Sequence, residues 1–92
     1  MMVGKQGGIF KVEDDPVMRV AIDVLERLGS LGRITLKASG ENIPNAVAIA
    51  NIITDKMMKG TSSVEKIHVD SENIMVMGQI LSTIEITLAK NI

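Results

Sequence analysis

Apolar and polar positions recur with two different periods along this chain, and the switches between them mark out six elements. The stretch GIFKV (8–12) is short and β-prone and predicts a first strand. From Val17 the period becomes helical. Val17, Val20, Ala21, Val24, Leu25 and Leu28 form one continuous stripe, with Arg19, Asp23, Glu26 and Arg27 on the outer side. Asp14 and Asp15 stand just before Pro16, which predicts an aspartate cap with proline at the first helical position. Gly29 or Gly32 is expected to end this helix.

RITLKA (33–38) alternates, with Ile34, Leu36 and Ala38 on one side and Arg33, Thr35 and Lys37 on the other, so it predicts a strand with one buried face. After the turn SGEN, Asn42 is expected to cap a second helix that has Pro44 in its first turn and runs to about Met58. Its apolar residues spread over more than half the circumference, wider than packing on one sheet requires. The surplus at Ile49, Ile52, Ile53 and Met57 is therefore expected to meet a partner subunit.

GTSS punctuates the chain before VEKIHVD (64–70), a third strand, and ILSTIEITLAK (80–90), a long fourth. In the fourth, Ile80, Ser82, Ile84, Ile86 and Leu88 share one face, and Leu81, Thr83, Glu85 and Thr87 the other. SENIMVMGQ joins these strands. Its apolar tip, Ile74–Gly78, reads either as a strand extension folded onto the protein or as a Met-rich contact patch.

The order β-α-β-α-β-β predicts an α/β two-layer sandwich: a four-stranded mixed sheet with two helices on one face and the other face open. Each crossover is expected to be right-handed and to give parallel neighbours, and the last pair to form an antiparallel hairpin. The 92 residues predict one domain over 9–92, with 1–8 as a flexible arm.

Composition narrows the function. With no cysteine, neither a disulfide framework nor a thiolate metal site is possible. No apolar run reaches the roughly 18 residues that span a bilayer, and the first residues hold no signal-peptide core, so a cytoplasmic protein without membrane contact is expected. Ten basic and eleven acidic residues leave a net charge of −1, without the basic excess usual in nucleic-acid binders. One phenylalanine offers little for base stacking.

Catalytic chemistry finds no support. His68 is the single histidine, no G-x-S-x-G elbow is present, and the glycines make neither a P-loop nor a dinucleotide fingerprint. Glu13, Asp14 and Asp15 are contiguous, without the spacing of a calcium loop. No enzyme, cofactor or metal is expected.

Three segments carry a family resemblance. DPVMRVAIDVL, ITLKASGENIPNAVAIANII and STIEITLAK together resemble the Alba family, small archaeal chromatin- and RNA-associated proteins with relatives among eukaryotic ribonuclease P/MRP subunits. The resemblance covers most of residues 9–90. It implies the same β-α-β-α-β-β plan, a dimer, and binding of DNA or RNA, with a nucleoid-associated location if DNA is bound. It also implies lysines where Asp14 and Asp15 stand, arginines around Gly40 where Ser39 and Glu41 stand, and a lysine where Asn45 stands. Lys37 alone matches that basic set, and the hairpin is shorter and apolar. Cations left to contact phosphate are Lys11, Arg19, Arg33 and Lys37, together with Lys5, or else Lys56 and Lys59.

Two functional readings follow. One is an Alba-like dimer with weak or altered affinity for nucleic acid. The other is an Alba-fold interaction subunit, a homodimer or a heterodimer with a basic Alba-like chain, that does not itself bind nucleic acid.

Overall fold

The computed structural model describes residues 8–74 and 79–91, and the side chains among them apart from 72–74, 79 and 80. The expected arm up to residue 7 lies outside the described residues, as does the hairpin tip apart from the backbone of Ile74. Strand β1 spans Gly8–Lys11, helix α1 Val17–Leu31, strand β2 Arg33–Ser39, helix α2 Ile43–Ile52, strand β3 Ser62–Ile74 and strand β4 Gln79–Lys90.

Helix α1 buries Val20, Ala21, Val24 and Leu28, the stripe read from the 3.6-residue period. The aspartate cap does not form. The helix begins at Val17, so Pro16 itself takes the cap position, and no side chain bonds to the first-turn amides. Asp14 and Asp15 therefore lie outside the helix, where they are exposed. At the other end Gly32 adopts a left-handed φ of 83° and donates its N–H to the Leu28 carbonyl at 2.8 Å. Lys90 adds a second stop, donating its Nζ to the Gly29 carbonyl at 2.8 Å, a cation at the negative end of the helix.

Helix α2 is entered through one 3₁₀ turn, Gly40–Asn42, and Pro44 sits in its first turn as expected. Asn42 holds the cap position without a side-chain cap bond. Its last turn, Ile53–Met57, widens to π geometry, closed by Met58 N–H to the Ile53 carbonyl at 2.7 Å. That wide turn was not legible in the apolar pattern.

The sheet runs β1-β2-β4-β3. β1 and β2 are parallel, and β4 is antiparallel to both β2 and β3. The expectation that the second crossover makes β2 and β3 neighbours is thus corrected, since the returning strand β4 inserts between them. β3 and β4 also extend further than predicted, leaving only 75–78 to connect them. Between the sheet and the helices lies an apolar core whose largest fully buried side chains include Leu28, Ile34, Leu36, Ile49, Ile53 and Leu88. Both helices pack on that side and leave the other side of the sheet uncovered, as predicted.

Candidate functional site

The pleat decides which side chains reach the uncovered face. Ile34, Leu36 and Ala38 of β2 point into the core, so Arg33, Thr35, Lys37 and Ser39 point away from the helices. The register lines Lys11 of β1 up with Lys37, Lys37 with Glu85 of β4, and Glu85 with His68 of β3. The result is a polar surface on which Lys37 lies between a second lysine and a carboxylate.

Each cation of this face that the sequence singled out has a carboxylate beside it. Arg33 Nη2 lies 2.7 Å from Glu65 Oε2, Lys37 Nζ 3.8 Å from Glu85 Oε2, and Lys11 Nζ 3.7 Å from Glu13 Oε2. The first is a true hydrogen bond; the other two are looser ion pairs. Arg33 reaches Glu65 across β4, where its register partner is the small Ala89. Glu65 is the extra residue of a β-bulge between Val64 and Lys66, which places its carboxylate outside the regular ladder. The hydrogen bond from Arg33 holds the Glu65 carboxyl below its ordinary range, and the same bond raises the Arg33 guanidinium. Both groups are solvated, so this pair orients side chains more than it stabilises the fold.

Lys11, Arg33 and Lys37 are thus brought together on one face. Arg19 is not: it is exposed on α1, in the layer on the other side of the sheet. The polar face also carries a slot of about 310 Å³ lined by Ile9, Lys11, Lys37, Ala38, Ser39, Leu81 and Thr83. A smaller recess of about 150 Å³ lies between Lys37, His68, Asp70, Thr83 and Glu85.

The positions that depart from the basic pattern converge too. Asp14, Glu41, Asn42 and Asn45 line one cleft of about 390 Å³ where the two helices begin. Asn45 Nδ2 donates to the Glu13 carbonyl at 3.5 Å, linking the first turn of α2 to the segment that leads into α1. Among the described residues no group of three His, Cys, Asp or Glu side chains is placed to hold a metal. No helix among them is long and apolar enough to cross a membrane.

The expected partner face of α2 divides. Ile49 and Ile53 are 0% exposed, sealed within the chain's own core, so they offer nothing to a second subunit. The breadth of the apolar arc arises because α2 packs against α1 as well as the sheet. Ile52 and Met57 remain half-buried at the edge of the core. Edge strand β3 carries an exposed apolar strip, where Val64, Ile67 and Val69 are 40%, 58% and 64% exposed. Their register partners are the buried Leu88, Ile86 and Ile84, which puts all three on the helix side of the sheet, beyond the helices' reach. Sequence reasoning missed this strip because alternation shows which residues share a face but not how far the covering layer extends.

Comparison with known proteins places these features in a family. The family model described as Alba matches residues 8–71. A solved structure, Alba from Thermoplasma volcanium, superposes with a TM-score of 0.79 at 30% identity and covers 89% of this chain and 99% of that one. ALBA1 from Trypanosoma brucei superposes with a TM-score of 0.67 over 89% of this chain and 68% of that one; at 18% identity it speaks to the fold alone. No curated protein matches the chain.

Proposed function

The chain belongs to the Alba family, and from that premise we propose that it is a non-enzymatic dimer that binds DNA or RNA through the uncovered sheet face, with an affinity well below that of a basic binding surface. The observation that carries the reading is the placement of Lys11, Arg33 and Lys37 on one polar face that no helix covers. Their carboxylate partners supply the reason for weak affinity. A phosphate must compete with Glu13, Glu65 and Glu85 for these cations, so fewer counterions are released per contact. The acidic cleft of Asp14 and Glu41 adds repulsion at the helix entries. An archaeal, cytoplasmic setting is part of this proposal, as is dimerisation through the β3 strip.

That strip also favours the second reading, an interaction subunit that pairs with itself or with a basic Alba-like chain and does not bind nucleic acid. Mobility shift of duplex DNA and structured RNA at low and moderate salt separates the two. A shift that falls with added salt and is lost in Lys37→Glu supports nucleic-acid binding. No shift at low salt, with the dimer intact, removes the first reading and leaves the second.

A further inference from the structure

We propose that the slot beside the end of β1 is a binding site for an unpaired nucleotide, so that the protein takes single-stranded nucleic acid in preference to duplex. This rests on the nucleic-acid reading above and names the ligand class for one part of the same face.

The slot has a structural cause. β1 stops at Lys11, opposite Lys37, and its last ladder contact is Val12 N–H to the Lys37 carbonyl at 2.8 Å. β2 continues to Ser39, so Ala38 and Ser39 have no strand beside them on the β1 side. The notch that remains is the slot of about 310 Å³.

Its lining differs in kind from the rest of the face. Toward the far end of β2 the polar groups satisfy one another: Arg33 bonds to Glu65, and the hydroxyls of Thr35 and Thr87 hydrogen-bond at 3.1 Å. In the slot they do not. The Ser39 and Thr83 hydroxyls have no hydrogen-bond partner among the described residues, and Lys11 and Lys37 stand 3.7 and 3.8 Å from their carboxylates, beyond hydrogen-bonding distance. Ile9, 72% exposed, and Leu81 supply apolar walls on a face that is otherwise largely polar.

Two ammonium groups, two free hydroxyls and two aliphatic walls suit a ligand with a flat apolar body and an anionic link on each side. An unpaired nucleotide has that form. Its phosphates meet the lysines, its base lies against Ile9 or Leu81, and the hydroxyls, which both donate and accept, serve the polar edge of any base. A duplex keeps its base faces stacked inside, so the walls gain nothing from it. The volume of about 310 Å³ lies at the low end of the roughly 300–1,000 Å³ common for ligand sites, room for one nucleotide. Aliphatic walls in place of aromatic ones make the binding weak and tolerant of sequence.

The test is fluorescence anisotropy of the full chain at low salt with labelled oligo-dT, oligo-rU and a duplex of equal length, for the wild type and for Ile9→Ser/Leu81→Ser. Both side chains lie outside the core, and circular dichroism checks that the double variant keeps its fold. The expected result is tighter binding of the single strands and an affinity about tenfold weaker in the double variant, the scale of removing the apolar surface beneath one base, with duplex affinity unchanged. Amide shifts of Lys37, Ser39 and Thr83 on titration with oligo-dT place the ligand in the slot. Duplex bound as tightly as single strands, or a double variant that binds single strands as well as the wild type, overturns the slot and leaves nucleic-acid binding standing. No binding of any of the three ligands overturns both.

Discussion

Replacing Ile67 by threonine tests whether β3 is where two copies meet. Threonine keeps the β-branched shape that a strand favours and removes apolar surface from the most central residue of the exposed strip. Fully burying an isoleucine side chain stabilises by about 1.5–3 kcal/mol relative to leaving it exposed. Ile67 retains 58% of its exposure in the single chain, so a partner recovers about 1–2 kcal/mol from each copy. A twofold interface contains the residue twice, which makes the loss about 2–4 kcal/mol, or a rise in dissociation constant of roughly 30- to 1,000-fold. Threonine retains one methyl, so the lower end of that span is the expectation. Sedimentation equilibrium over a concentration series measures it, and thermal melting of the dilute monomer serves as the fold control. A variant whose dissociation constant equals that of the wild type, with its secondary structure intact, refutes the reasoning and sends the search for the interface to another face.

The remaining predictions address the core, the helix stop and the charges. Ile53→Ala, at a fully buried position, should cost about 2–5 kcal/mol in denaturant unfolding, because it leaves a cavity in the chain's own core; a near-neutral effect would return Ile53 to the partner surface. Gly32→Ala forces a side chain into left-handed backbone at φ 83° and should cost about 1–2 kcal/mol, read as a lower melting temperature. Glu65 is held below its ordinary pKa by Arg33 in the folded chain, so its contribution to stability is complete above the ordinary glutamate value and is lost as pH falls through the lowered one. Glu65→Gln should flatten that acid limb of the melting-temperature profile, and an unchanged profile would mean that the pair does not hold in solution. Asp14→Lys/Asp15→Lys/Glu41→Lys should tighten duplex binding and steepen its salt dependence by about 0.9 in slope for each phosphate gained; an unchanged slope would show that the helix entries do not face nucleic acid.

How legible the molecule was depended on the range of the interactions involved. The α1 stripe, the strands read at 33–38 and 80–90 and the helix stop at a glycine were all readable, since each is set by local spacing. The aspartate cap was misread because a shift of one residue in the helix start hands the cap position to Pro16. The breadth of the α2 apolar arc did not reveal that Ile49 and Ile53 are buried inside the chain's own core, because one arc serves two neighbours there. Alternation put Arg33 and Lys37 on one side of a strand, but it was silent on whether Lys11 joins them and on their carboxylates. Glu65 reaches Arg33 across another strand and through a bulge, from 32 residues away in sequence.

The order of elements, the sides of the two central strands, the near balance of charge and the absence of cysteine chemistry were determined by the amino-acid sequence alone, because period and composition act locally. Tertiary structure decided the rest. Inserting β4 between β2 and β3 brought Glu85 beside Lys37 and let Arg33 reach Glu65, and ending β1 early opened the slot. The physical reason is that hydrogen-bonded strand order and register are chosen by the whole sheet burying its apolar face at once. No single segment contains that choice.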